Sequence, residues 1–406
     1  MKVSLASFPT TVYLCLRDDF RAKIFEEARK RVGAWANLAR YLGIRDSNLA
    51  GYRSGKFSFS LKVCRKLSKL LRLGLSDFER EISWVGSHSR IGIKNPKLPF
   101  DFNTPAGARF LLAILCDGKF SQDLRPTYYN FDPTLRSGVI FAAREIFGDV
   151  HVFELPDYGM ARFPKVVGYA LLRANITPGN KTCVDPTIPS FIKNGNQSIR
   201  EMAIGQIISD EGSVDTRYKK LRIHFCKDVT NASGLSKIEY GRNWATYAPN
   251  LLKDSIALFK KSEINTSLPH VDRIRVTKKG RVKIDWFLNI SGHKNFLRLA
   301  SIPVTHPKKK AAIKEYPSTL TRVGKNESLN KALAALWKVK WRVPHFTARE
   351  LSAEINVSRG YCKHLLKKLR TLGHVEVIEK GTSTTPWRYS LTYQGKAVAK
   401  SQSRFF

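Results

Sequence analysis

The chain has 406 residues, 43% of them hydrophobic, which is enough for roughly two or three packed domains and excludes wholesale disorder. Lys and Arg number 70 against 33 Asp and Glu, and the resulting net charge of +37 asks for a polyanionic partner. No apolar run approaches the roughly 20 residues of a membrane span, so nucleic acid is expected as that partner and a membrane is not. The first residues lack the apolar segment of a secretory signal, and the six cysteines include no Cys-x-x-Cys pair. A reducing, cytoplasmic setting in a microbial cell, beside the nucleoid, follows as the expectation.

Residues 1–85 read as an all-α domain. Trp35 to Ile44 forms a short amphipathic helix with Gly43 near its end, Arg45-Asp46-Ser47 turns, and a second helix starts near Asn48 and carries Arg53. Helix, glycine-containing turn and helix have helix-turn-helix spacing, with the basic segment Leu61 to Leu71 as support. The arrangement resembles the small DNA-binding domains of phage-repressor-like regulators, which would put Asn48, Tyr52, Arg53 and Lys56 at the major groove. Residues 86–99 read as a linker, because Gly, Ser and His cluster there and Pro96 and Pro99 exclude regular helix.

Residues 100–320 look like one unit written twice, 100–195 and 196–320. In the first copy Thr104 is placed to cap a helix, Pro105 opens it, and an apolar body ends in Asp117-Gly118. In the second, Ser198 and Glu201 have capping-box spacing, and the apolar run ends in Asp210-Glu211-Gly212, with Gly212 expected in a left-handed turn. A carboxylate at a helix C-terminus faces the negative end of the macrodipole, so each ending is unfavourable without a nearby cation. Taken once, this is an ordinary helix stop. Taken twice, it implies two buried helices paired side by side, with Asp117 and Glu211 meeting at their ends. Such carboxylates repel unless a divalent ion joins them, and hard cations such as Mg²⁺ (or Mn²⁺) suit oxygen ligands.

Strands are expected after each helix. Leu221 to Phe225 and Arg273 to Val276 alternate apolar and cationic residues, and so does Arg281 to Trp286 after the turn Thr277 to Gly280. Alternation puts Arg222, His224, Arg273, Arg275, Arg281 and Lys283 on an open face suited to a phosphate backbone, with Asp272 and Asp285 as the acids that dilute it. A basic connection, His306 to Lys310, closes the second copy.

Residues 326–406 form a further module. Thr347 and Glu350 make a capping box for a helix ending near Ile355, and Ser358 caps a second helix carrying Arg359, Lys363 and Lys367. Two β-runs, His374 to Glu379 and Trp387 to Thr392, flank a Gly-Thr-Ser loop. This resembles a winged helix, with DNA preferred over protein as its partner because of the basic second helix.

The middle segment resembles the LAGLIDADG homing endonucleases in their single-chain, two-motif form. The residues that carry this are Phe110 to Gly118 and Ile204 to Gly212, with Pro178-Gly179-Asn180-Lys181 and Thr305-His306-Pro307-Lys308-Lys309 as matching connections. The resemblance covers about 220 residues. It implies an α+β fold, a pseudo-twofold duplicated αββαββα core with saddle-shaped antiparallel sheets, acting as a monomer on double-stranded DNA. It further implies metal-dependent phosphodiester hydrolysis on both strands, with Asp117 and Glu211 as metal ligands and Lys181 and Lys309 as the basic residues of the site. Leu112 and Gln206 depart from the pattern, standing where glycine is often found, and Leu115 and Ser209 replace acids. The alternatives from other classes are a non-catalytic transcriptional regulator and an intron-splicing maturase holding structured RNA.

Overall fold

The computed structural model describes residues 1–87, 91–215, 220–232, 234–318, 327–382 and 385–403. It is an α+β protein with several small antiparallel sheets. The chain divides into two compact units. One comprises Met1–Ser213, Leu221–Ile290 and Ser301–Lys310, and the other Val214–Lys220, Ser291–Ala300 and Ala311–Phe406. Among the described residues no helix is long and apolar enough to cross a membrane.

The first unit is built on two helices packed against each other, Pro105–Leu115 and Gln197–Glu211, here the first and second motif helices. Their bodies are almost wholly buried, from Phe110 to Leu115 in one and from Ala203 to Ser209 in the other. Thr104 caps the first by accepting the Gly107 N–H at 3.0 Å, as its sequence requires. The second begins two residues earlier than expected: Asn196 is the cap, accepting the Ile199 N–H at 3.0 Å. Ser198 instead donates to Asn196, and Glu201 accepts from Gln197.

Each motif helix is followed by two strands, a helical segment and two more strands. In the first half these strands are Gly118–Phe120, Pro126–Tyr129, Phe153–Leu155 and Met160–Arg162; in the second, Gly212–Asp215, Lys220–Asp228, His270–Val276 and Val282–Ser291. Across both sheets the order is first, second, fourth, third. The glycines after the acids also match. A Cβ at Gly118 would meet Ile114 Cα at 2.5 Å, and one at Gly212 would meet Ile208 O at 2.4 Å. Gly212 is therefore not in a left-handed turn; it is extended (φ −80°, ψ 142°) and starts the strand directly. Glycine is needed because the chain doubles back against its own last helical turn.

The N-terminal region corrects two expectations. It is not all-α, because Tyr13–Leu16 and Ile82–Gly86 pair as strands. Residues 86–99 are not a free linker either. Gly92–Lys94 pairs on one side with Ile82–Gly86 and on the other with Asp149–Val150 of the first half, completing a five-stranded sheet. Lys2–Val3 also pairs with Phe100–Asp101. Buried aromatic rings explain why the segment does not stand alone: Phe100, Phe102 and Phe110 all pack edge-on against Phe147, at 4.9, 5.7 and 5.5 Å, and Phe8 lies 6.1 Å from Phe100. Such pairs add about 1 kcal/mol each beyond the area they bury. The helices Trp35–Leu42 and Asp46–Ser54 do form, joined by a turn with Gly43 in the left-handed region.

In the second unit, Glu327–Lys340, Ala348–Ile355 and Arg359–Thr371 are helices, Val375–Glu379 and Arg388–Leu391 pair as a hairpin, and Tyr393–Gln402 closes the chain. Thr347 and Glu350 make the capping box and Ser358 caps the next helix. A core of Leu336, Leu351, Leu365, Leu366, Leu369 and Leu391 fills the space between them. The expected boundary at residues 320–326 and the Ser383-Thr384 tip of the loop lie outside the described residues.

Candidate active site and nucleic-acid surface

The two motif helices pack against each other, and at or just past their C-terminal ends Asp117, Asp210 and Glu211 sit partly buried and near enough for their charges to act on one another. Burial is the main influence on all three. It raises Asp117, against the opposing pull of Lys181, Asn130 and Lys309. It raises Glu211 to about 7, with the Asp117 charge adding to the rise and Lys181 and Lys309 resisting it. Asp210 is pushed well up by burial, then by Asp117, with Glu211 adding less. The buried Cys116 thiol is raised by burial first and then by Glu211, Asp210 and Asp117.

The cations that make this tolerable come from the late connections of each half. Lys309 lies in the first turn of the helix Pro307–Ser318, so the expected basic connection is the start of a helix. Its ammonium donates to the carbonyls of Ile208, Ser209 and Asp210 at 3.2, 2.6 and 3.4 Å. It caps the second motif helix and offsets the unfavourable dipole noted in the sequence. Ser209, standing where an acid was expected, holds that connection: its hydroxyl accepts the Thr305 and His306 N–H groups at 3.0 and 3.4 Å. Gly205 lets the same segment approach, since a Cβ there would meet Pro303 O at 2.6 Å.

Lys181 is placed differently. A bridge between Phe120 and Gly179 draws the Pro178–Lys181 segment against the strand that leaves Asp117, and Asn180 caps the short helix Lys181–Val184. Among the described residues no hydrogen bond or ion pair engages the Lys181 ammonium, although its charge acts on Asp117 and Glu211. Asp117 itself is steadied by Asn130, whose Nδ2 donates to Oδ2 at 3.1 Å. Asn130 and Tyr128 are neighbours of these acids that the sequence reading missed, and Gln206 was singled out only as a departure from the motif. Only the oddity of a glutamine at Gln206 within an apolar helix signalled any of them.

The chain matches no protein-family model and no curated protein.

Among the described residues, no set of three or more His, Cys, Asp or Glu side chains is arranged to hold a metal. A dication here would rest on Asp117 and Glu211 and fill its shell with water and phosphate oxygens, as Mg²⁺ commonly does. The donor chemistry fits: two hard carboxylates, each pushed toward its neutral form by burial, are relieved by a shared positive charge.

The second sheet has the expected two faces. Leu221, Ile223, Phe225, Ile284, Trp286, Leu288 and Ile290 are buried, which leaves Arg222, His224, Arg273, Arg275, Lys283 and Phe287 on the other side. Arg222 lies 5.1 Å over the Phe287 ring, and His224 and His270 flank the same ring at 5.9 and 5.4 Å. Three of the six predicted cations are already engaged. Asp285 takes Arg273 and Arg275, the latter at 2.5 Å. Arg281 reaches Asp228 at 3.5 Å and donates to Cys183 Sγ at 3.0 Å. The predicted face is cationic but partly self-neutralised. In the first sheet, the strand faces away from the helices carry only Lys119 and Arg162 as cations.

Arg53 lies outside this cluster, its guanidinium stacked 3.4 Å from the Trp35 ring centre. In the second unit Arg359, Lys363 and Lys367 line one groove of about 500 Å³, joined by Arg370 and walled by Thr382, Thr385, Pro386 and Trp387. Spacing of four residues along the helix puts the first three cations on one face.

Proposed function

We propose that this chain is a sequence-specific double-stranded DNA endonuclease of the LAGLIDADG homing type, dependent on a divalent metal. The single observation that carries the reading is the convergence of Asp117 and Glu211 at the ends of two paired helices, beside the Lys181 ammonium, which no hydrogen bond or ion pair engages among the described residues. The equal strand order of the two sheets supports the duplicated core that goes with it.

Asp117 and Glu211 would hold Mg²⁺ or Mn²⁺. When bound, the ion supplies Lewis acidity to the phosphodiester and lowers the pKa of the attacking water. Asn130 orients the Asp117 carboxylate, and Lys309 secures the helix end that carries Glu211. Lys181 is left to offset the charge that develops on the phosphoryl oxygens. Arg222, His224 and Lys283 would meet the duplex on the open face of the second sheet, where Phe287 offers an apolar contact to a thymine methyl. The groove cations Arg359, Lys363 and Lys367 would hold flanking phosphates.

A non-catalytic DNA-binding regulator is the second reading. It is favoured by the groove of the second unit, whose lining has four cations and no acid. A randomised DNA library incubated with Mg²⁺ and the full chain separates the two. Site-specific double-strand breaks, lost in Asp117→Asn and Glu211→Gln while binding persists, support the enzyme. Selective binding without breaks at any Mg²⁺ or Mn²⁺ concentration supports the regulator, and a preference for folded RNA over both supports a maturase.

A further inference from the structure

The two halves fix their carboxylates by different means. Asp117 accepts a hydrogen bond directly, from Asn130. No donor among the described residues holds the Glu211 carboxylate; the side chain that is held belongs to its neighbour, Asp210. Tyr128, from the sheet of the first half, donates its phenol to Asp210 Oδ1 at 2.8 Å. Gln206, one turn back on the second motif helix, donates Nε2 to Asp210 Oδ2 at 2.8 Å. Both oxygens of this partly buried carboxyl are thereby committed, one of them across the halves.

The equivalent positions on the first motif helix are Leu112 and Cys116, which are apolar and fully buried. A plain packing role at positions 206 and 210 would be met by residues of that kind. The polar version leaves Gln206 Oε1 buried without a partner, a defect that an apolar side chain avoids. Fixing Asp210 from two directions fixes the last helical turn, and with it the backbone from which Glu211 projects.

Resting on the nuclease reading, we propose that Tyr128, Gln206 and Asp210 form a clasp that positions Glu211 for metal capture. The clasp makes the acid of the second half depend on the sheet of the first. None of the three touches substrate; they are positioning residues acting through Glu211.

The test uses the full chain with Tyr128→Phe, which removes only the phenol donor, and Gln206→Met, which keeps length and removes the amide. Mn²⁺ is titrated in by calorimetry, and supercoiled plasmid carrying the selected site is digested in parallel. Both variants should melt within about 3 °C of the parent. Their Mn²⁺ affinity should fall about tenfold or more, the usual cost of losing an outer-shell partner. Both strands' cuts should slow together, because each depends on Glu211, so that linear product forms more slowly without nicked circles accumulating. Variants that bind Mn²⁺ and linearise plasmid as the parent does would overturn the clasp and leave the nuclease reading standing. A parent that neither binds Mn²⁺ nor cuts would overturn the reading beneath it. Each variant removes a different donor, so loss of fold in one leaves the other to decide.

Discussion

The two halves of the first unit share a strand order and a way of leaving the motif helix, yet almost nothing that decorates them is alike. The first sheet has strands of three or four residues and few cations; the second has strands of up to ten and a cationic, aromatic open face. The first half presents a lysine, Lys181, that is unengaged among the described residues, whereas the second ties its lysine, Lys309, to three helix carbonyls. One acid is held directly, the other through its neighbour. Topology is therefore a property of the repeated unit, set by two buried helices and two glycines. The proposed function draws instead on side chains that differ between the halves.

The sharpest break of this comparison is at the shared acids. Asp117→Asn or Glu211→Gln should each slow cleavage of both strands about a thousandfold, the scale of losing metal-based transition-state stabilisation. Strand-resolved gels read it. Loss of one strand's cut alone would mean that the halves work independently. Next come the lysines. Lys309→Met removes a helix cap and should destabilise the fold by about 2 kcal/mol, while Lys181→Met should leave melting unchanged and slow cleavage about a hundredfold. Equal melting temperatures for the two variants would erase the distinction.

The pH dependence follows in size. Glu211 titrates at about 7 in the fold, above the usual carboxylate range, and Asp117 and Asp210 shift the same way. The folded state then keeps a proton that the unfolded state has released. The Glu211 contribution to metal-free stability is full below pH of about 4.5 and is lost as pH rises through about 7, by on the order of 3 kcal/mol. Calorimetric melting in chelator should show the fall, and Mg²⁺ should flatten it. Smallest is the difference between the sheets. Arg222→Ala with Lys283→Ala should reduce the slope of log affinity against log salt by about 2, and Lys119→Ala with Arg162→Ala by less than 1. Equal reductions would show that both faces engage DNA alike.

Much of this architecture was legible in the residues. Thr104-Pro105 announced one helix start, and the alternation from Leu221 to Phe225 and from Arg281 to Trp286 gave the second sheet's two faces, because period and capping are local. The hairpin and capped helices of the second unit were legible for the same reason. The joining of the N-terminal region to the core was not. Strands of two to five residues such as Gly92–Lys94 carry almost no periodic signal, and their pairing with Asp149–Val150 is a tertiary event. At the site, Asp117 and Glu211 stood out as misplaced charges. Tyr128 and Asn130 did not, since a tyrosine in a strand and an asparagine just after it are commonplace until a distant helix end is set against them. Lys309 was found by resemblance alone, and its work as a helix cap needed the coordinates of the carbonyls it meets.

The central claim is that Asp117 and Glu211 share one divalent ion, and anomalous diffraction from crystals grown in Mn²⁺ addresses it without recourse to activity. The account predicts a single strong peak between the two carboxylates, ligated by an oxygen from each and absent in Glu211→Gln. No peak at saturating Mn²⁺, or a peak touching neither carboxylate, would contradict it.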